Sequence, residues 1–288
     1  MFGPSWIVGG ASITPTEYAD GSLASPFVYR LRLALARRLA ALRLHRYEGV
    51  PKTAAPWLCK RRMWWAAGLL WLGNAYLRTQ GVAARVLPLA DWLEWERNVA
   101  HVLGREARIS ADGAGLETPF FAGVTLGQIL RADLPSDDKL SALRKAAGAL
   151  RQLHSKLIHR SGGESWALSH GDATCHNVVV SLSTASAAWI DFDMRHDWRH
   201  PVVERHADDL RALLFSSAAC LPPALHARCV QQMLGGYGEP QVAGQLCRSL
   251  EQSRCPTVFQ LAQAPVSYAD YLRLCRLLPA AEPQLPLP

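Results

Sequence analysis

The sequence has 288 residues, 49% of them hydrophobic and 19% charged, with a formal net charge of +7. That apolar share excludes a disordered chain, and a chain of this length can bury roughly 75% of its unfolded surface in one or two domains. Glycine and proline are frequent but not periodic, which excludes a collagen-like or linker-like chain.

The first twenty residues, MFGPSWIVGGASITPTEYAD, carry no basic cluster ahead of an apolar run, so no secretory signal is expected. Residues 28–46 read in two ways. Tyr29, Leu31, Leu33 and Leu35 alternate with Arg30 and Arg32 as in a strand, whereas ARRLAALRLHR has the spacing of a basic amphipathic helix. A break at Pro51–Pro56 precedes a short predicted strand, Trp57–Lys60. Met63–Leu77 predicts a helix of about 15 residues, too short for a bilayer that needs ~20. Asp91 predicts the cap of a helix that runs to Leu103 and stops at Gly104. Trp92, Trp95, Val99, Ala100 and Leu103 share its apolar face, and Glu96 falls among them, so that carboxylate calls for a partner.

PFFAGVTL, Pro119–Leu126, predicts an extended segment leading into a hinge. Ser136 and two aspartates open a helix, with Leu140, Leu143, Ala147, Leu150 and Leu157 at helical spacing. Val178–Val180 and Ala188–Ile190 predict a hairpin, Val203–Ala219 a helix, and the residues after Pro222 several helical pieces. Pro279–Pro288 is expected to be a frayed tail. Helix dominates the second half and strands are short, so the expected class is α+β.

The charge is local. Residues 1–108 hold 15 Lys/Arg against 7 Asp/Glu, while residues 109–288 hold 16 against 17. Between Arg30 and Arg62 ten basic residues meet one acid, Glu48. Arginine suits bidentate contact with phosphate or carboxylate, so an anionic partner is expected. The interleaved residues are leucine and alanine rather than stacking aromatics, so nucleic acid is not. Lys60-Arg61-Arg62 beside Trp64 and Trp65 leaves two readings open: a helix on an anionic membrane surface, or core tryptophans with solvated charges. Seven scattered cysteines without a C-x-x-C point to a reducing, cytoplasmic setting with neither a disulfide framework nor a structural zinc site.

The stretch that carries chemistry is Ser169–Asp193, SHGDATCHNVVVSLSTASAAWIDFD. A polar loop, a hairpin and two acids flanking a phenylalanine would bring Asp172, Asn177 and Asp191 to one site. Short oxygen-bearing side chains of this kind suit Mg2+ together with substrate phosphates. Two other readings of the stretch are a hydrolytic metal cluster of His170, Asp172, His176, Asp191, Asp193, His196 and His200, and a Cys175 nucleophile. The first lacks a defensible ligand spacing and the second an activating base, so Cys175 and His176 are expected to pack within the loop.

His170-Gly171-Asp172, Asn177 five residues after the aspartate, and Ile190-Asp191-Phe192-Asp193 together resemble the catalytic-loop and metal-loop pair of the protein-kinase-like phosphotransferases. The aminoglycoside phosphotransferases and the sugar and lipopolysaccharide-core kinases are nearest in flavour. The resemblance covers Glu117–Phe215 and includes Arg205-x-x-x-Asp209-Leu210. It implies a two-lobed fold, with a small basic nucleotide-side lobe over residues 1–121, a mainly helical lobe over 122–278 and the tail at 279–288. It also implies ATP and Mg2+. Asp172 would accept the proton of an acceptor hydroxyl, Asn177 and Asp191 would hold the metal, His170 would be a structural member of the catalytic loop, and Asp209 would brace that loop.

Such a site needs a strand lysine paired with a helix glutamate to hold the α/β-phosphates. Lys60 with Glu96 is the expected pair, across an inserted helix at 63–77, and Lys52 competes with Lys60. No glycine-rich phosphate loop is recognisable. Only 18 residues separate Asp191 from Asp209, with no A-P-E, which favours a hydroxyl on a small molecule, a sugar or a lipid-linked acceptor over a protein substrate. The cytoplasm is the expected place, with the inner membrane face as a peripheral site. The alternatives are an inactive kinase-like scaffold and a membrane-surface binding protein.

Overall fold

A computed structural model describes residues 26–40, 45–50, 56–63, 65–159, 163–181, 186–252 and 256–281. Lys52, Trp64 and most of the proline-rich tail lie outside them, as does the N-terminal stretch read above for a signal.

Helix α1 (Pro26–Ala40) settles the ambiguous stretch. Tyr29 and Ala36, seven residues apart, are buried on one helical face, while Leu31 and Leu35 stay exposed. Strand β1 (His45–Val50) begins where the basic helical pattern still ran. It pairs antiparallel with β2 (Trp57–Arg62), which pairs with β5 (Gly115–Pro119), which in turn pairs with β4 (Arg108–Ile109), giving the order β1-β2-β5-β4. Between β2 and β4 lie helix α2 (Ala66–Thr79), strand β3 (Ala84–Val86) and helix α3 (Leu89–Val102). Asp91 does not cap α3: Pro88 stands at that position and Asp91 lies in the first turn.

PFFAGVTL is not one strand. β5 ends at Pro119, and after an irregular stretch β6 (Val124–Thr125) runs into helix α4 (Leu126–Arg131). The reason is local: Thr125 and Gln128 form a reciprocal capping box, which starts the helix there. β6 joins the sheet β10-β9-β6 with β9 (Val178–Val180) and β10 (Ala187–Trp189), both antiparallel.

Helix α5 (Ser136–His154) ends before Leu157, which belongs instead to β7 (Leu157–His159), paired with β8 (Ser165–Ala167). β11 (Met194–His196) pairs back onto β3. Helices α6 (Val202–Ala218), α7 (His226–Tyr237), α8 (Pro240–Gln252), α9 (Val258–Gln263) and α10 (Tyr268–Ala281) complete the chain. The tail expected from Pro279 starts inside α10.

The architecture is mixed α/β, mostly helical with small antiparallel sheets. One apolar core runs through α3 and α4–α10, with Leu143, Leu150, Leu210, Leu213, Met233 and Leu274 fully buried. α1, placed by the sequence with residues 1–121, packs across that boundary onto α9. Tyr29 Oη donates to the Val266 carbonyl at 3.1 Å, and its ring lies 4.9 Å from that of Tyr268. Among the described residues no helix is long and apolar enough to cross a membrane.

Candidate functional site

The loop after β8 is held from below by one buried carboxylate. Asp209 of α6 accepts the backbone N–H of His170 at 2.7 Å and of Gly171 at 2.8 Å, and His154 Nε2 donates to it at 3.0 Å. Burial alone would raise the Asp209 pKa, but His196, His154 and His170 hold it well below the usual carboxylate range. Gly171 has φ 83, and a Cβ there would stand 3.0 Å from the backbone carbon of Met194, so only glycine makes this turn. His170 Nε2 donates to the Ile190 carbonyl at 2.9 Å, and the Ile190 N–H donates to the Asn177 carbonyl at 2.9 Å. His170 therefore acts as a strut between the loop and the end of the hairpin.

Both carboxylate oxygens of Asp172 are engaged. Asn177 Nδ2 donates to Oδ2 at 3.0 Å, and Gln263 Nε2, from the end of α9, donates to Oδ1 at 2.7 Å. Burial pushes the Asp172 pKa up against these two hydrogen bonds, which favour the ionised form. Gln263 is itself fixed, since Arg211 Nη2 donates to its Oε1 at 3.1 Å and Arg211 pairs with Asp208 at 3.0 Å. Sequence reasoning missed Gln263. It sits 91 residues from Asp172 on one of the unassigned helical pieces, with no local marker.

The second cluster centres on Lys60, buried on β2. Its Nζ donates to Glu96 Oε2 at 3.1 Å and to Asp193 Oδ1 at 2.5 Å, and it also contacts Asp191 Oδ1 closely. Burial would lower the Lys60 pKa, but Asp191, Asp193 and Glu96 outweigh it and the ammonium is held well above its ordinary value. Burial raises Glu96 against the pull of Lys60. Desolvation would raise the half-buried Asp193, but Lys60 and His45, whose Nδ1 lies 3.0 Å from Asp193 Oδ2, bring it well below the carboxylate range. His45 is a second residue the sequence did not single out. Trp92 supplies a further bond, from Nε1 to Glu96, so the glutamate on the apolar face of α3 has the partners its burial requires. Asp191 has φ 67, the one positive φ at a non-glycine position among the described residues, at a cost of roughly 1–2 kcal/mol. Lys52 is outside the described residues.

A cleft of about 260 Å3 opens beside Lys60. Leu58, Ala100, Leu116, Phe120, Phe121, Val179 and Ile190 line it with apolar surface, and Lys60, Glu96 and Asp191 contribute the charge. No family model matches the chain, and no curated protein matches it.

The structure thus brings Asp172, Asn177 and His170 onto one brace, and Lys60, Glu96 and Asp191 onto another, with the Ile190–Asn177 and His170–Ile190 bonds joining the two. It does not gather the alternative histidine cluster. His196 hydrogen-bonds Ser169 through Nδ1 at 3.0 Å and donates from Nε2 to Asp208 at 3.2 Å, and His200 lies near Glu204. Oxygen atoms of Glu96, Asp191 and Asp193 lie within 4.8 Å of one another, gathered around the Lys60 ammonium. In the Lys-Arg-Arg run Lys60 is buried and the Arg62 guanidinium lies 4.7 Å from the Trp92 ring, while Arg61 pairs with Asp112 at the exposed surface.

Proposed function

We propose that this chain is an ATP- and Mg2+-dependent phosphotransferase that phosphorylates a hydroxyl of a small molecule, a sugar or a lipopolysaccharide-type acceptor. In this reading the fold is a two-lobed, protein-kinase-like one, with β1, β2, β4, β5 and α3 on the nucleotide side and α4–α10 on the other. The observation that carries it is the position of Lys60. A strand lysine paired with a helix glutamate, here also in contact with Asp191 and Asp193, is the pairing that protein-kinase-like phosphoryl transfer uses to hold the phosphates of ATP.

In the reaction the acceptor oxygen bonds to the γ-phosphorus while the bond from that phosphorus to the β–γ bridging oxygen breaks, releasing ADP. The acceptor's proton passes to Asp172, whose raised pKa suits a base that must take up a proton. Asn177 and Gln263 aim that carboxylate. The Asn177 amide nitrogen is spent on Asp172, which leaves its oxygen available to a cation. Asp191 and Asn177 would hold Mg2+, with Asp193 close by, and the metal when bound neutralises the triphosphate. The Lys60 ammonium, now on three carboxylates, would share those phosphates. The apolar cleft suits a planar heteroaromatic base. After Asp193 the chain pairs with β3 and turns directly into α6, leaving little length to seat a peptide, which supports a small acceptor.

The test is ATP turnover with Mg2+ over a panel of hydroxyl acceptors, read as acceptor-dependent ADP release. Asp172→Asn should lower kcat by about 10²–10⁴. Near-normal turnover in that variant would remove Asp172 from the chemistry, and no turnover with any acceptor would favour the inactive scaffold.

A further inference from the structure

Cys175 and His176 lie in the turn between Asp172 and Asn177, and Cys220 follows the C-terminal end of α6. None of the three has a part in the chemistry above, yet their donor atoms converge. Cys175 Sγ is 3.9 Å from Cys220 Sγ, and an imidazole nitrogen of His176 lies with both sulfurs inside 4.8 Å. We propose that Cys175, His176 and Cys220 form a binding site for a soft divalent cation, Zn2+, with water as the fourth ligand.

The sulfur separation is the first support. Two zinc–thiolate bonds of ~2.3 Å at a tetrahedral angle place their sulfurs about 3.8 Å apart. A disulfide would need ~2.05 Å, so the two sulfurs would have to close by nearly 2 Å. Cys175 is held against such travel. It is fully buried, its N–H donates to Ser216 Oγ at 2.9 Å, its carbonyl accepts from the Gly127 N–H at 2.8 Å, and its thiol donates to the Ser216 carbonyl at 3.4 Å.

Gly127 is the second support. A Cβ at that position would stand 2.5 Å from the His176 ring and 3.2 Å from Cys175 Sγ, so the glycine leaves the room in which imidazole and thiol meet. Two thiols and an imidazole suit zinc, whereas carboxylate oxygens such as those at Lys60 suit a hard cation. The two sites therefore differ in the metal they take. Arg131 Nη2 lies 3.4 Å from His176 Nε2 on an exposed side chain that can swing into solvent as the cation enters. On binding, the two thiol protons pass to solvent and no electron is transferred. Spacing could not reveal this site, because Cys220 is 45 residues from Cys175.

The experiment is calorimetric titration of reduced, metal-stripped, tag-free full-length protein with Zn2+, and separately with Co2+ as a coloured probe. The expected result is one Zn2+ per chain and a thiolate-to-cobalt charge-transfer band. Cys220→Ser, at a half-buried position, should abolish that band and weaken zinc binding more than about 100-fold, beyond what loss of an outer-shell partner costs. His176→Asn should weaken binding in the same direction, which keeps the test decisive if Cys175→Ser does not fold. Absence of stoichiometric binding, or equal affinity in Cys220→Ser, overturns the proposal. So does a Cys175–Cys220 disulfide formed with peroxide in protein that binds no zinc, which would make the pair a redox site.

Discussion

Gln263 Nε2, at the end of α9, donates to Asp172 Oδ1 at 2.7 Å across 91 residues of chain. With Asn177 on the other oxygen, it fixes the carboxylate and favours its ionised form. Gln263→Glu replaces that donor by a second carboxyl group and raises the Asp172 pKa further. Activity that needs ionised Asp172 rises with pH, so the rising limb of kcat/KM should move to higher pH, and Gln263→Ala should move it the same way by less. A limb that stays in place in both variants would remove Gln263 from the control of Asp172.

Lys60 is the cation for three carboxylates, the buried Glu96 and the half-buried Asp191 and Asp193. Lys60→Met leaves Glu96, Asp191 and Asp193 facing one another, and stability at neutral pH should fall by on the order of 3 kcal/mol. Asp193 then loses what holds its pKa low, so its protonation relieves the repulsion as pH falls. The gap between variant and wild type in urea denaturation should therefore narrow toward acid. A pH-independent gap would contradict this electrostatic account.

Asp209 carries the His170–Asn177 loop on two backbone amides. Asp209→Ala removes those acceptors and the partner of His154, at a cost on the order of 3 kcal/mol. Hydrogen exchange at His170 and Gly171 should accelerate more than exchange in the helical core. Unchanged protection of these two amides would show that the loop is held by other contacts.

His206 stacks on His154 with ring centroids 3.8 Å apart and planes within 5°. Burial and the neighbouring His154 lower its pKa from the ordinary 6.5 to about 3. A depressed folded pKa means the unfolded chain takes up a proton that the native state refuses. Stability is thus intact above pH 6.5 and declines as pH falls toward about 3, by about 1.4 kcal/mol per pH unit for this group. His206→Gln, which can still donate to the Leu168 carbonyl, should flatten that acid slope by close to one proton. An unaltered slope would mean that His206 titrates normally.

The loop from His170 to Asn177 and the acids at 191 and 193 were legible as one short run of polar loop, hairpin and acids, whereas the brace at Asp209 was expected only from the resemblance to the protein-kinase-like phosphotransferases. Glu96 was legible for another reason: a carboxylate on the apolar face of α3 has to find a cation, and Lys60 lies on a strand, β2, that can supply one. Gln263, His45 and Cys220 left no such trace. They reach the site through packing of α9, β1 and the end of α6, and tertiary contact carries no local spacing. β1 escaped notice because His45, Arg46 and Glu48 make it polar, and the sheet rather than strand propensity decides it. The alternation at Tyr29–Leu35 misled in the opposite sense, since α1 keeps Leu31 and Leu35 exposed and buries Tyr29 against α9 and α10.

In the proposed function Lys60, Asp191 and Asn177 receive a metal–nucleotide complex beside Asp172. Calorimetric titration of the full chain with ATP, with and without Mg2+, in wild type and in Asp191→Asn, tests it most directly. Saturable binding that depends on Mg2+ in the wild type, and loses that dependence in Asp191→Asn, is the predicted result. No binding at millimolar ATP, or equal binding with and without Mg2+ in the wild type, would contradict it.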